Sequence, residues 1–191
     1  QKTGIDLEEE EEGSMRALNE YYPIDQANMA FGQGIGVNAM QMVRAWSTLA
    51  NGGYLITPHL VSEIKTADKE IKLNYKKGER VISQSTATTV KEMLVRVARE
   101  SATQYPLNRI SELTKYRIAA KSGTAQISTG GKYKETGTTA SVVGFFPADN
   151  PKFLVMVKLN EPEVRQWGSD TAGPVFFSII RNLASYYRIM P

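Results

Sequence analysis

The feature that most constrains the fold is an apolar, strand-like run at residues 116–127 that contains one lysine, one serine and one threonine. Ser122 and Thr124 stand two residues apart, so on a strand their side chains point to the same side. A lysine supplies positive charge, hydroxyls donate hydrogen bonds, and a glycine lets a ligand backbone come close. The run therefore predicts an anion-binding strand with a buried lysine. The residues concerned are Lys121, Ser122, Gly123, Thr124 and Gln126.

The rest of the chain predicts an α+β fold, with helices packed on an antiparallel sheet. Residues 38–51 combine apolar positions at three- and four-residue steps with Asn38 as N-cap. Residues 83–101 form a second amphipathic helix with Ser83 as N-cap and Met93 in its apolar stripe. A final helix is predicted at residues 171–189, with Pro174 in its first turn.

The predicted strands fall in two regions of the chain. Residues 54–75 alternate and predict short strands, with a turn at residues 67–69. Later strands are predicted at residues 116–127, 139–146 and 152–159, with a polar loop after the first. A four-residue turn separates the last two strands, so they are expected to pair as an antiparallel hairpin.

Composition limits the classes of function. A chain of 191 residues can bury one core, and its net charge of +3 is too small to indicate a nucleic-acid partner. No stretch approaches 18 apolar residues, so no transmembrane span is predicted. Without cysteine and with one histidine, neither a disulfide nor a metal or cofactor site is expected. The five glutamates of residues 8–12 are interpreted as a solvated loop rather than a cation or basic-partner site.

Around Lys121 the chain resembles the class B penicillin-binding proteins, which carry a Lys-Thr/Ser-Gly strand motif. Further matching segments stand in the family's order. They are Lys2-Thr3-Gly4-Ile5-Asp6-Leu7, Gly32-Gln33-Gly34-Ile35, Ala50-Asn51-Gly52-Gly53, Thr57-Pro58-His59-Leu60-Val61, residues 138–147, and Gly173-Pro174-Val175-Phe176. The resemblance covers nearly the whole chain and implies the family's fold, an antiparallel sheet flanked by helices.

The resemblance also implies a function and a set of site residues. In the family a serine attacks a carbonyl and becomes acylated, both by peptidoglycan stem peptides ending in D-Ala-D-Ala and by β-lactams. Carried over to this chain, Lys121 maintains the charge network, and Ser122 and Thr124 bind the substrate carboxylate. The backbone amide of Thr124 is an oxyanion donor, Gly123 admits the substrate, and Gln126 lines the cleft.

The expected nucleophile is the missing part. Ser-x-x-Lys occurs once, at residues 62–65, in an alternating strand pattern that places Ser62 and Lys65 on opposite sides. We interpret this match as chance, and Ser-x-Asn does not occur. In the family both motifs precede the segment matched by residues 2–7. Residues 1–191 are therefore expected to be a partial transpeptidase domain, inert alone, that lacks the upstream nucleophile segment.

The resemblance implies further partners and a location. The upstream half of the same protein is expected to fill a gap beside an apolar patch on residues 140–146 and 153–157. An extracytoplasmic location follows, with the parent protein anchored by an N-terminal transmembrane helix outside this chain. Two other functions remain open: a non-catalytic module of the same fold that binds cell-wall peptide or β-lactam, and a β-lactamase, against which the class B segments argue.

Overall fold

Residues 2–75, 78–104, 111–129 and 132–191 are described in the computed structural model of the chain. Contacts between Cα atoms divide the chain into two units, Gln1–Ala87 and Thr88–Pro191. The helices are α1 (Pro23–Met29), α2 (Ala39–Ala50), α3 (Gln84–Gln104) and α4 (Gly168–Tyr186). The strands are β1 (Tyr54–Leu55), β2 (Glu63–Lys65), β3 (Glu70–Lys72), β4 (Glu79–Arg80), β5 (Ala119–Thr129), β6 (Lys132–Phe146) and β7 (Phe153–Asn160).

The first unit combines helices with two small antiparallel sheets. Helix α2 begins at the predicted capping box, in which the Asn38 side chain accepts from the Gln41 amide at 2.7 Å and the Asn38 amide donates to Gln41 Oε1 at 2.9 Å. Strand β1 pairs with β4, and β2 pairs with β3 as a hairpin. The short strands and the turn predicted for residues 54–75 are thereby confirmed.

Two carboxylates fix the N-terminal segment of the first unit. Asp6 accepts from the backbone amides of Leu60 and Val61 at 2.7 and 2.9 Å. Glu10 accepts from the Thr3 amide at 2.8 Å through both oxygens. Glutamates 8, 9, 11 and 12 are exposed, as expected of a solvated loop, but Glu10 is half-buried because it closes this turn.

The second unit is built on an antiparallel sheet of order β5-β6-β7. Ser122 pairs with Val142, and Val142 pairs in turn with Val157. Helix α4 packs on one face of this sheet through Phe176 and Ile180, both fully buried. The predicted fold, an antiparallel sheet flanked by helices, and the β6–β7 hairpin are confirmed.

An ion-pair network joins α3 to the sheet. Arg117, just before β5, donates from Nη2 to both oxygens of Glu92 at 2.8 and 2.7 Å and from Nε to Asp149 at 2.8 Å. The hydrogen bonds that Arg117 donates, first to Glu92 and then to Asp149, raise the pKa of Arg117 above its usual range. Lys91 Nζ lies 3.7 Å from Asp149 Oδ1 and completes the network.

Several expectations about elements are wrong. Helix α1 was not predicted, because its seven residues carry no apolar periodicity. Helix α4 begins at Gly168, three residues earlier than expected, so Pro174 lies inside the helix rather than in its first turn. Met93 is 61% exposed and does not join the core. Strands β5 and β6 extend into the residues predicted as a polar loop, of which residues 130 and 131 lie outside the described part of the chain.

The apolar patch expected on residues 140–146 and 153–157 is also absent. In these described strands every apolar side chain is buried or half-buried. Val142, Phe146 and Val157 belong to the core beneath α4, and Phe145 is fully buried as well. Among the described residues, no helix is both long enough and apolar enough to cross a bilayer.

Candidate active-site strand

Strand β5 brings the predicted site residues together on one edge of the sheet. Among the described residues, β5 has a strand neighbour on one side only, because the sheet runs in the order β5-β6-β7. The other side of β5 therefore presents backbone donors and acceptors to which an extended ligand can pair. Lys121, Ser122 and Thr124 lie along this edge strand.

Lys121 does not have the buried position that the apolar run predicted. Its side chain is exposed, and Nζ donates to the backbone carbonyl of Ser122 at 2.8 Å. The reason is its place on an edge strand, where the ammonium remains solvated and avoids the cost of desolvating an unpaired cation. The positive charge thus stands at the surface, where it can meet a soluble anion.

The side chains of Ser122 and Thr124 are both half-buried, and the strand alternation places them on the same side of β5. Thr124 Oγ1 accepts from the Gly168 amide at 2.9 Å. This contact joins the site strand to the start of α4, 44 residues later in the chain. It could not be predicted from the sequence, which showed only a glycine after a tryptophan.

Gly123 and Gln126 complete the set. A Cβ at Gly123 would lie 2.9 Å from Ser141 Oγ, a side-chain atom that can rotate away, so packing against β6 alone does not require glycine there. Gln126 is exposed on the same side as Ser122 and Thr124, and it is the last residue of β5 before the register with β6 shifts.

A shallow groove lies beside Lys121 and Ser122. Its walls come from Val97 and Ser101 of α3 and from Ser169, Gly173 and Phe177 of α4. The helices of the second unit therefore leave a groove next to the site strand. A separate hollow, lined by Val95, Leu113, Ile118 and other residues, contains none of the predicted site residues.

The single Ser-x-x-Lys match lies in a hairpin of the first unit. Ser62 precedes β2, and its carbonyl accepts from the Leu73 amide at 3.0 Å. Lys65 Nζ lies 2.9 Å from Glu63 Oε1 and is occupied by that carboxylate. A serine activated by a lysine one helical turn later requires a helix, and this segment is a strand.

The described acidic and histidine side chains are dispersed, and His59 has an aromatic neighbour. Across residues 2–75, 78–104, 111–129 and 132–191, no three His, Asp or Glu side chains form a cluster that could hold a metal ion. The His59 ring instead stacks on Tyr75, with ring centroids 3.4 Å apart.

Comparison with known proteins decides the family. The penicillin binding protein transpeptidase domain matches residues 1–181. The chain belongs to this transpeptidase family. Stage V sporulation protein D of Bacillus subtilis is 36% identical over 183 residues, covering 95% of this chain and 28% of that protein. The probable peptidoglycan D,D-transpeptidase PenA of Neisseria meningitidis is 31% identical over 180 residues, covering 94% of this chain and 29% of PenA.

Solved structures of the transpeptidase family share the fold. A peptidoglycan synthetase from Bifidobacterium adolescentis is 31% identical with a TM-score of 0.83, covering 99% of this chain and 34% of that one. Penicillin binding protein 3 from Mycobacterium tuberculosis, complexed with ampicillin, is 26% identical with a TM-score of 0.84, covering 99% of this chain and 43% of that one. The class B resemblance is confirmed, and this transpeptidase-family chain spans less than half the length of these relatives.

Proposed function

We propose that the protein carrying these 191 residues is a peptidoglycan D,D-transpeptidase. It cross-links stem peptides through an acyl-serine intermediate and is acylated by β-lactams. The observation that carries the proposal is the open edge of β5, on which a transpeptidase-family chain displays Lys121, Ser122 and Thr124. Relatives are named as peptidoglycan D,D-transpeptidases, and one structural neighbour is complexed with ampicillin.

In this proposal each residue of the strand has a separate role. The peptide ending in D-Ala-D-Ala pairs with the free edge of β5 as an added strand. Its terminal carboxylate accepts hydrogen bonds from the hydroxyls of Ser122 and Thr124, and the ammonium of Lys121 contributes positive charge. Gly123 leaves room for the peptide backbone, and Gln126 lines the cleft.

The Thr124 backbone amide stabilises the tetrahedral oxyanion that forms when the serine attacks. One such donor contributes about 100- to 1,000-fold to the rate. The serine and the lysine that activates it are supplied by an upstream segment of the same protein. The protein acts outside the cytoplasm, where peptidoglycan lies, and is held at the membrane by an anchor elsewhere in its sequence.

A labelling experiment tests this proposal. The full-length gene product and the 191-residue chain are each incubated with a fluorescent penicillin, and the adduct is located by intact mass and peptide mapping. We expect one adduct on the full-length protein, at a serine upstream of these residues, and none on the 191-residue chain. An adduct at Ser62 would refute the upstream nucleophile, and no adduct on the full-length protein would favour a non-catalytic binding module.

A further inference from the structure

Gly168 connects the first turn of α4 to the site strand. Its backbone amide donates to Thr124 Oγ1 at 2.9 Å, and the residue itself is buried. Trp167, at the N-cap position, makes no side-chain capping hydrogen bond. The first amide of α4 is therefore satisfied by a hydroxyl from a distant strand instead of by a local cap.

Only glycine fits at this contact. A Cβ on residue 168 would lie 2.2 Å from the carbonyl oxygen of Gly123, 2.6 Å from that of Ser141 and 2.9 Å from the Ser141 amide nitrogen. All three atoms belong to the backbone of the paired strands β5 and β6. None of them can move away by rotation of a side chain. Any larger residue must move the start of α4 away from β5, and the hydrogen bond to Thr124 lengthens with it.

The contact restricts how the Thr124 hydroxyl can be used. A hydroxyl has one proton to donate and two lone pairs that accept. The Gly168 amide occupies a lone pair, so the proton cannot point toward Gly168 and is directed to another acceptor. A hydroxyl that already accepts a hydrogen bond is also the stronger donor, because bonds in a chain polarise one another.

We infer that Gly168 is a positioning residue, which holds the Thr124 hydroxyl as a donor toward the ligand carboxylate. The inference rests on the proposed function. It makes α4 part of the recognition of a negatively charged ligand, although α4 contributes no side chain to this contact. A purely structural contact would stabilise the helix start and affect all ligands alike.

The test compares a penicillin with its methyl ester in the full-length protein. The ester keeps the reactive ring and loses the negative charge. We measure the second-order acylation rate constant for each compound and take the ratio. Thr124→Val removes the hydroxyl at similar volume, Thr124→Ser keeps it, and Gly168→Ala moves the amide.

The positioning role predicts that the acid-to-ester ratio falls about 10- to 100-fold in Thr124→Val and Gly168→Ala, as expected for a hydrogen bond to a charged group. Thr124→Ser restores most of the ratio. The double variant falls no further than either single variant, because both changes remove the same interaction. Val164→Ala, at an exposed position before α4, is the control and leaves the ratio unchanged.

Each alternative outcome has one meaning. Equal losses for the acid and the ester in both Thr124→Val and Gly168→Ala would overturn the positioning role and leave a structural contact. Failure of the unaltered protein to react with either compound would refute the proposed function itself. If Gly168→Ala does not fold, hydrogen exchange of the Gly168 amide is measured beside the acid-to-ester ratio in Thr124→Val and Thr124→Ser. The positioning role predicts that both amide protection and the ratio are lost in Thr124→Val and recovered together in Thr124→Ser, and a recovered ratio without recovered protection would overturn it.

Discussion

Ser122 is the site residue whose removal should disturb the fold least. Ser122 is half-buried. Its side-chain hydroxyl forms no hydrogen bond with another residue in the part of the chain that the structure describes. Thr124, by contrast, holds the start of α4. Under the proposed function, ligand binding and folding should therefore be separable at Ser122 and coupled at Thr124.

Replacing Ser122 with alanine in the full-length protein should slow acylation by a penicillin about 10- to 100-fold, since a hydrogen bond to the carboxylate is lost. The free energy of unfolding should change by less than about 0.5 kcal/mol. Acylation is measured with a fluorescent penicillin, and stability by urea titration. Ser178→Ala, an exposed serine of α4, is the matched control. A large loss of stability in Ser122→Ala would contradict this separation.

Asp6 gives the first unit a dependence on pH. Hydrogen bonds from the backbone amides of Val61 and Leu60 hold the pKa of Asp6 below its usual value. A carboxyl group whose pKa is lowered by folding stabilises the fold above its unfolded pKa, about 3.9, and this stabilisation is lost as the pH falls through the folded value. Protection of the Leu60 and Val61 amides from hydrogen exchange should therefore decline only below about pH 4.

The Asp6→Asn variant should expose both amides to exchange at neutral pH, because a neutral amide oxygen is a weaker acceptor than a carboxylate. Exchange rates are corrected for the intrinsic effect of pH and compared across the titration. Glu8→Gln, at an exposed carboxylate of the same segment, should leave both amides protected. Equal protection in Asp6→Asn and the parent chain at pH 7 would refute the role of this carboxylate.

At the scale of elements, local chemistry predicted the helices whose starts it controls. Asn38 and Ser83 have side chains that cap the next helix, and α2 and α3 begin where these residues predict. Helix α4 lacks such a cap, and its start is fixed by Thr124, 44 residues away. No residue near the helix start indicates that contact, so the predicted start is three residues too late and the hydrogen bond of Gly168 could not be predicted.

The strand around Lys121 was predictable from the apolar residues that lead into it, and β5 confirms it at Ala119–Thr129. What the sequence could not provide was the exposure of Lys121, which depends on the position of β5 within the sheet. The same limit explains Met93, whose helical spacing suggests a core position although the side chain is 61% exposed. Periodicity identifies an apolar face, and only the tertiary structure shows which part of that face is covered.

Arg117 holds α3 to the sheet and should not be replaceable by lysine. Arg117→Ala should lower the free energy of unfolding by about 1 kcal/mol, at the upper end for exposed ion pairs, because the arginine contacts two carboxylates. Arg117→Lys should recover less than half of this loss, since lysine cannot form the paired bond to Glu92.

Urea titration measures both Arg117 variants. Arg96→Ala, which removes the exposed pair with Glu100, serves as the comparison and should cost less stability than Arg117→Ala. If Arg117→Lys recovered the full free energy of unfolding, the positive charge alone would account for the stabilisation. The paired hydrogen bonds to Glu92 would then contribute nothing.

For the molecule as a whole, the apolar core of the second unit fixes the platform on which the site strand lies. Phe176 is fully buried and contacts Phe177 edge-on with ring centroids 5.4 Å apart. Phe176→Ala should lower the free energy of unfolding by about 3–5 kcal/mol, through lost burial and the cavity left behind.

The neighbouring residue provides a matched control for Phe176. Val175 is 44% exposed, so Val175→Ala should change the free energy of unfolding by less than about 0.5 kcal/mol. Thermal unfolding followed by circular dichroism measures both variants. Similar losses in the two would show that α4 does not pack on the sheet as described.

The open side of β5 also affects solubility. The unpaired backbone groups of an edge strand can form hydrogen bonds with a strand of a second molecule. Such pairing is the first step toward fibrils. Proteins commonly place a lysine on such an edge strand. If a second molecule paired there, the lysine charge would be desolvated or would repel the same lysine of that molecule. Lys121 stands exposed at this edge, so its charge should also oppose the pairing of a second copy of the chain along β5.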